Sequence, residues 1–158
     1  MRKYPDMKHP IRNVAALLCL LISSVAHAQN PNGAKPSLFN NYPATITCTE
    51  QQLNSAFNAA VNQDISLSFS DNFIFSGKVT SNALKYANLQ TAIIQSPVFG
   101  NSVFVLSKIV NADRTINYTG HIINKKYFDG YELKKDASNN YQLIKIETDK
   151  VIEDCTHK

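Results

Sequence analysis

The sequence has 158 residues, of which 44% are hydrophobic and 18% are charged, a length that suits a single folded domain. Four of its 16 basic residues and one of its 12 acidic residues lie in the first 28 positions. The remainder therefore carries 12 basic and 11 acidic residues, a net charge of +1. This balance excludes the clustered basic excess that nucleic-acid binding needs.

Residues 1–28 are predicted to be a cleavable signal peptide. A basic start is followed by an apolar run over residues 14–22 and by Ala26-His27-Ala28, an A-x-A cleavage site. The run is about half as long as the roughly 20 residues of a membrane-spanning helix, which favours cleavage over retention as an anchor. We expect cleavage after Ala28 and a secreted or periplasmic protein that has no stable membrane anchor.

Residues 29–43 are predicted to form a flexible tether, because prolines and asparagines dominate and no apolar period is present. Residues 44–158 contain no second linker and no internal repeat. We therefore expect them to form a single α+β domain.

The first predicted element of the domain is a helix. Thr49 and Gln52 match a capping box, and Leu53, Ala56 and Phe57 recur at helical spacing. The helix is expected to end near Asn62.

After the helix the apolar period changes to two, which is typical of half-buried strands. Ile65, Leu67 and Phe69 begin the alternation. Further runs follow at residues 73–79, 89–95, 102–110, 115–124, 127–135 and 141–148. Short turns between most of them require antiparallel pairing, so the sequence predicts a meander of about six or seven strands. Residues 81–88 can form a helical turn or extend the neighbouring strands. Asp129-Gly130 can form a tight hairpin turn or a bulge within one long strand.

Cys48 and Cys155 remain after the signal is removed, and an even pair in an oxidising compartment predicts a disulfide that closes the domain. The alternative is two separate thiols.

Several strands lack alternation and would place apolar side chains on both faces of the sheet, as Val103, Phe104, Val105 and Leu106 do. One helix can cover only one face. The sheet can cover the second face itself by coiling into a barrel or half-barrel or by folding into a sandwich. Alternatively, that face can contact a protein partner or a second copy. A pocket for a small apolar ligand is the third solution.

No catalytic, metal-binding or cofactor-binding motif is present, and the residues identify no family. His121 is predicted to lie on a polar strand face, and Asp129 with Glu132 is the nearest approach to a carboxylate pair. We therefore expect no enzymatic activity, no metal and no cofactor.

The most suggestive binding surface is residues 125–135, which combine aromatic and lysine side chains in the mixture that interfaces favour. The candidate binding residues are Lys125, Lys126, Tyr127, Phe128, Tyr131 and Lys134. The alternative is ordinary strand architecture, with Tyr131 and Leu133 facing inward and the lysines protecting a sheet edge.

The leading functional hypothesis is an exported non-catalytic domain that binds a protein partner or a second copy of itself. The first alternative is a carrier or sensor of a small apolar ligand. The second is a small secreted hydrolase that uses His121 or the Asp129 and Glu132 pair.

Overall fold

The computed structural model describes residues 35–148, which form an eight-stranded antiparallel sheet and one helix. In chain order the elements are β1 (Thr45–Cys48), α1 (Glu50–Asn58), β2 (Asp64–Ser70), β3 (Phe73–Tyr86), β4 (Leu89–Ser96), β5 (Ser102–Val110), β6 (Ile116–Ile123), β7 (Asp129–Lys135) and β8 (Tyr141–Glu147). The predicted signal peptide, residues 29–34 of the tether and Cys155 lie outside the described residues.

The sheet is a meander that turns back on itself. The spatial order of the strands is β1-β8-β7-β6-β5-β4-β3-β2, so consecutive strands from β2 to β8 are neighbours and β1 joins the far side of β8. The two edge strands, β1 and β2, approach each other without pairing. The sheet is therefore coiled nearly into a barrel, and the predicted α+β antiparallel meander is confirmed.

Helix α1 begins where the sequence predicts. The side chain of Thr49 accepts a hydrogen bond from the backbone N–H of Gln52 at 3.2 Å, and Gln52 Oε1 accepts one from the Thr49 N–H at 2.7 Å. This is the reciprocal capping box. Leu53, Ala56 and Phe57 are buried against the sheet.

The helix ends at Asn58, four residues before the predicted end. Ala59 is already extended, with φ −84° and ψ 138°. Asn82 Nδ2 donates to the carbonyls of Phe57 and Ala59, at 2.9 Å in both cases. A side chain from β3 thus satisfies terminal carbonyls of the helix, a tertiary contact that apolar spacing does not reveal.

The structure has more strand than was predicted. β1 was missed because it is only four residues long and stands between the predicted tether and the helix. Residues 81–86 extend β3 to 14 residues, which rules out the helical turn there. Asp129-Gly130 begins β7, so it is neither a hairpin turn nor a bulge within one long strand.

The described part of the predicted tether, residues 35–43, packs into the end of the barrel. Phe39 is fully buried, and its ring lies 5.2 Å from that of Tyr131 and 5.4 Å from that of Phe99, centroid to centroid. Lys145 Nζ donates to the carbonyls of Phe39 and Tyr42 at 2.8 and 2.7 Å. These residues therefore plug the barrel end and belong to the domain.

Candidate functional site

The interior of the barrel is filled by large side chains. Helix α1 and the plug cover the inner face of the sheet, and the largest fully buried side chains are mostly aromatic or aliphatic. They are Tyr131, Tyr141, Phe39, Phe73, Phe75, Phe104, Leu53, Ile94, Leu106, Ile122, Leu143 and Val79. An apolar ligand inside the barrel would have to displace some of them. The grooves described below are therefore the better-formed places for a small ligand.

The predicted binding segment does not form one surface. Lys125 and Lys126 are exposed in the turn before β7, and Phe128 follows them with 38% of its surface exposed. Lys134 is exposed further along β7, where its Nζ lies 2.9 Å from a carboxylate oxygen of Glu132. The structure thus places Lys125, Lys126 and Phe128 at one end of the barrel, and Lys134 lies apart from them.

Tyr131 faces the core, as the alternative interpretation of the segment has it, and so does not belong to an exposed binding surface. It is fully buried, and its hydroxyl donates to the carbonyl of Pro43 at 2.6 Å. Burial and the nearby Asp129 charge raise the pKa of Tyr131 to about 12. Tyr127 is half-buried against Gly100. Tyr131 and Leu133 both face inward, as alternation along the strand predicts. The lysines do not protect a sheet edge, because β7 lies between β6 and β8.

A groove of about 600 Å³ lies beside Phe128 at the plugged end of the barrel. Its lining includes Ser37, Asn40 and Lys145. Lys145 already donates to two plug carbonyls, so the polar groups on this side mainly serve to hold the plug.

A second groove, of about 710 Å³, opens on the outer face where β6 and β7 separate. Only three residue pairs join these strands, from Gly120 with Leu133 to Ile122 with Tyr131. Beyond them the hydroxyl of Tyr141 enters the gap and accepts a hydrogen bond from the N–H of Tyr118 at 2.9 Å. The Tyr141 hydroxyl thus takes the place of a backbone acceptor that β7 does not supply to β6 here.

His121 lies in the outer groove, directly opposite Glu132 across β6 and β7. Burial lowers the pKa of His121, and the Glu132 charge offsets part of that shift. The ring makes no hydrogen bond with other residues of the 35–148 region that would orient it. A nucleophile, a base and an orienting group in mutual contact, which a hydrolase needs, are therefore not assembled around His121.

The two carboxylates considered for hydrolysis face opposite sides of the sheet. Asp129 is 3% exposed on the inner side, like Tyr131, and its carboxylate accepts from the plug. Glu132 is in the outer groove. A pair that must flank one bond of a substrate cannot be formed from them. Within residues 35–148 no group of three or more His, Cys, Asp or Glu side chains could hold a metal ion.

The tip of the β3–β4 hairpin, residues 84–89, groups two of the most exposed large apolar side chains; the third, Val98 in the turn between β4 and β5, is 73% exposed. Leu84 and Tyr86 are 68% and 71% exposed, and Val110 of the neighbouring hairpin is 39% exposed. The register places Leu84 opposite Gln90 on the inner side of the sheet and Tyr86 opposite Leu89 on the outer side. The tip therefore presents apolar side chains from both faces.

Sequence reasoning missed this tip, because residues 81–88 carried no clear period. The available signal was Leu84 and Tyr86 close to Ala87-Asn88, where the spacing of Ala83, Leu84 and Ala87 fits a helical turn as well as a strand extension fits. The plug residue Phe39 was missed for a related reason. It is a single aromatic in a segment rich in proline and asparagine.

No protein-family model matches the chain, and comparison with curated proteins and with solved structures finds no significant match. Within residues 35–148 no helix has the length and apolar character needed to cross a membrane.

Proposed function

We propose that this chain is an exported, non-catalytic domain that binds a protein through the tip of its β3–β4 hairpin. The observation that carries the proposal is the exposure of Leu84 and Tyr86 on opposite sides of that tip. Single exposed apolar residues are common on protein surfaces, whereas apolar side chains grouped on a projecting element mark contact sites. Tyrosine is also among the residues that are enriched in protein interfaces.

The outer face of the sheet supports the same proposal. Cross-strand neighbours Ile93 and Val105 and, further along the sheet, Ile144 point outward and are only half-buried. The sheet thus covers its inner face with α1 and the plug and leaves apolar surface outside. The filled interior favours contact with another protein over carriage of an apolar ligand within the barrel.

Export rests on residues 1–28, whose composition is that of a cleavable signal. The intact mass of the protein recovered from the periplasm or the medium is expected to correspond to a chain that begins at Gln29. A mass that retains residues 1–28 would contradict export by cleavage.

The disulfide between Cys48 and Cys155 belongs to the same proposal, because an exported chain with two cysteines is expected to oxidise them. Cys48 is 4% exposed, and its Sγ lies 3.6 Å from the carbonyl oxygen of Ile46. As a thiol it would be poorly reactive, since burial raises its pKa to about 12.

Site-specific photo-crosslinking in the cells that produce the protein tests the proposed contact. A benzophenone amino acid replaces Tyr86 in one variant and Phe128 in a second, and Gln51, exposed on α1 and outside the candidate surfaces, is the control position. Only the probe at Tyr86 is expected to give a discrete protein adduct. Adducts at Phe128 alone would move the contact to the predicted segment, and none at either position would overturn the proposal.

A further inference from the structure

The groove on the outer face is formed by a gap in an otherwise continuous sheet. Eight residue pairs join β5 to β6 and seven join β7 to β8, whereas three join β6 to β7. The hydroxyl of Tyr141 fills the gap, because it accepts from the N–H of Tyr118 and donates to the carbonyl of Ile116 at 3.5 Å. A sheet that gives up ladder hydrogen bonds and satisfies the freed groups with a side chain breaks a local rule of strand pairing. Such breaks are expected at functional sites.

The two sides of this outer groove differ in chemistry. On β5 the outward side chains of Val105 and Ile109 are half-buried and form an apolar wall. On β7 the charged side chains of Glu132, Lys134 and Lys135 line the other side. A volume of about 710 Å³ lies in the range of small-molecule sites, which combine apolar walls with a few polar groups. The groove therefore suits a ligand that has an apolar part and a polar end.

The charges on the β7 side leave one cation without a counter-charge. Lys134 is paired with Glu132, since its Nζ lies 2.9 Å from a carboxylate oxygen. Lys135 Nζ instead donates to the neutral Oδ1 of Asn117 at 3.2 Å and lies 4.8 Å from the centroid of the Tyr141 ring. Within residues 35–148 no carboxylate forms an ion pair with that amine. Two contacts thus hold the Lys135 ammonium beside the gap and leave its charge available to a ligand.

We propose that the outer groove is a binding site for a small amphipathic anion, a carboxylate with an alkyl or aromatic tail. The carboxylate pairs with Lys135, and the tail lies against Val105 and Ile109. The register supports this arrangement, because Asn117, which accepts from the Lys135 amine, lies directly opposite Ile109 on β5. The cation and the apolar wall are thus neighbours across β6. This site goes beyond the proposed function, since it lies on a different surface from the hairpin tip.

Cationic ligands and neutral sugars fit the outer groove less well. A cation would meet the Lys135 ammonium and would have to displace Lys134 from Glu132 to find a partner. A sugar favours an exposed aromatic ring on which to stack, and the phenol ring of Tyr118 in the lining is 4% exposed. An anion adds a charge-assisted hydrogen bond at Lys135 to the apolar contact with β5.

Titration of the isotope-labelled mature chain with octanoate, followed by amide NMR spectra, tests the proposal. Octanoate combines a carboxylate with an apolar tail, acetate lacks the tail, and octylammonium reverses the charge. Octanoate is expected to shift the amides of Thr119 and His121 saturably, at concentrations where acetate and octylammonium do not. The proposal is overturned if octanoate gives no saturable shift, if octylammonium binds equally well, or if the shifts centre on the groove beside Phe128.

Two variants separate the cation from the apolar wall. Lys135→Gln removes the charge and is expected to raise the dissociation constant of octanoate about threefold or more. Ile109→Thr keeps a β-branched strand residue, removes apolar surface and is expected to raise it about fourfold. Lys78→Gln, exposed on β3, makes the same charge change outside the groove and should bind octanoate as the wild type does. Dispersed amide spectra confirm folding, and wild-type affinity in folded Lys135→Gln would overturn the proposal.

Discussion

The backbone N–H of Phe39 donates to Oδ2 of Asp129 at 2.8 Å, across 90 residues of sequence. The N–H of Leu38 donates to the other carboxylate oxygen at 2.7 Å, and the hydroxyl of Ser37 also bonds the carboxylate. One buried side chain of β7 thus fixes the backbone that carries the plug. The aromatic interior stays covered because this carboxylate holds the segment in place.

Replacing Asp129 by asparagine is expected to destabilise the fold. The amide has one acceptor oxygen in place of two, so at least one plug donor loses its partner. Hydrogen bonds to charged groups are worth about 1.5–3 kcal/mol, and we expect a loss of that size in the free energy of unfolding. Urea denaturation measures it. Asp64→Asn, exposed on β2, is the matched control, and equal losses in both variants would contradict the role of Asp129.

Phe39→Ala is expected to cost about 3–5 kcal/mol, the usual range for truncating a buried aromatic residue. The reason is the cavity left among the rings of Tyr131, Phe99 and Phe73. Tyr86→Ala removes an aromatic side chain that is 71% exposed and should change stability by under about 1 kcal/mol. A small effect of Phe39→Ala would show that residues 35–43 contribute little to the core.

Tyr141→Phe removes the hydroxyl that joins β8 to β6, where it accepts from the N–H of Tyr118 and donates to the carbonyl of Ile116 at 3.5 Å. The ring contact with Tyr118, at 5.5 Å between centroids, is kept, but the N–H of Tyr118 loses its acceptor. An unsatisfied buried donor costs about 1–3 kcal/mol, and thermal or urea unfolding should show a loss in that range. Tyr86→Phe removes an exposed hydroxyl and serves as the control. No difference between the two variants would mean that solvent replaces the hydroxyl of Tyr141.

The lowered pKa of His121 predicts how stability depends on pH. The folded protein binds a proton there less readily than the unfolded chain, whose histidine has a pKa near the ordinary value of 6.5. Its contribution is therefore fully present above 6.5 and is lost as the pH falls from 6.5 through the lower folded value. His121→Gln should flatten this part of the profile of unfolding free energy against pH. A wild-type profile that rises as the pH falls below 6.5 would contradict the prediction.

The proposed disulfide predicts that denatured mature protein contains no thiol that reacts before reduction and two that react after it. Mass spectrometry after alkylation in denaturant counts them directly. In the Cys48→Ser variant one thiol should react without reductant. Two reactive thiols in the unreduced wild type would exclude the bridge between Cys48 and Cys155.

The sequence predicted the elements that are stabilised by contacts between residues close together in the chain. The start of α1 depends on Thr49 and Gln52, three positions apart, and the strands of the meander depend on alternation and on short turns. β1 was not predictable in this way. Its partner is β8, where Cys48 lies opposite Tyr141, and nothing within four residues of sequence indicates that pairing.

The candidate binding surfaces were hard to predict for the same reason, because they depend on contacts between distant parts of the chain. Tyr131 belongs to a run that can be interpreted as an aromatic binding patch or as ordinary strand with Tyr131 facing inward, and its burial against Phe39 and Phe73 decides for the second. The exposure of Leu84 could not be predicted from its own segment. It depends on where the neighbouring strand β2 ends, because β2 pairs with β3 only as far as Lys78.

The position of β1 between the plug and α1 has a consequence for the order of folding. The hairpins from β2 to β7 can close as soon as each is synthesised or translocated, because their partners are adjacent in sequence. β1 must wait for β8, which follows all the other strands of residues 35–148. A nascent chain thus keeps β1 unpaired until β8 arrives, and closure of the barrel is expected to be the slowest and most aggregation-prone step of maturation.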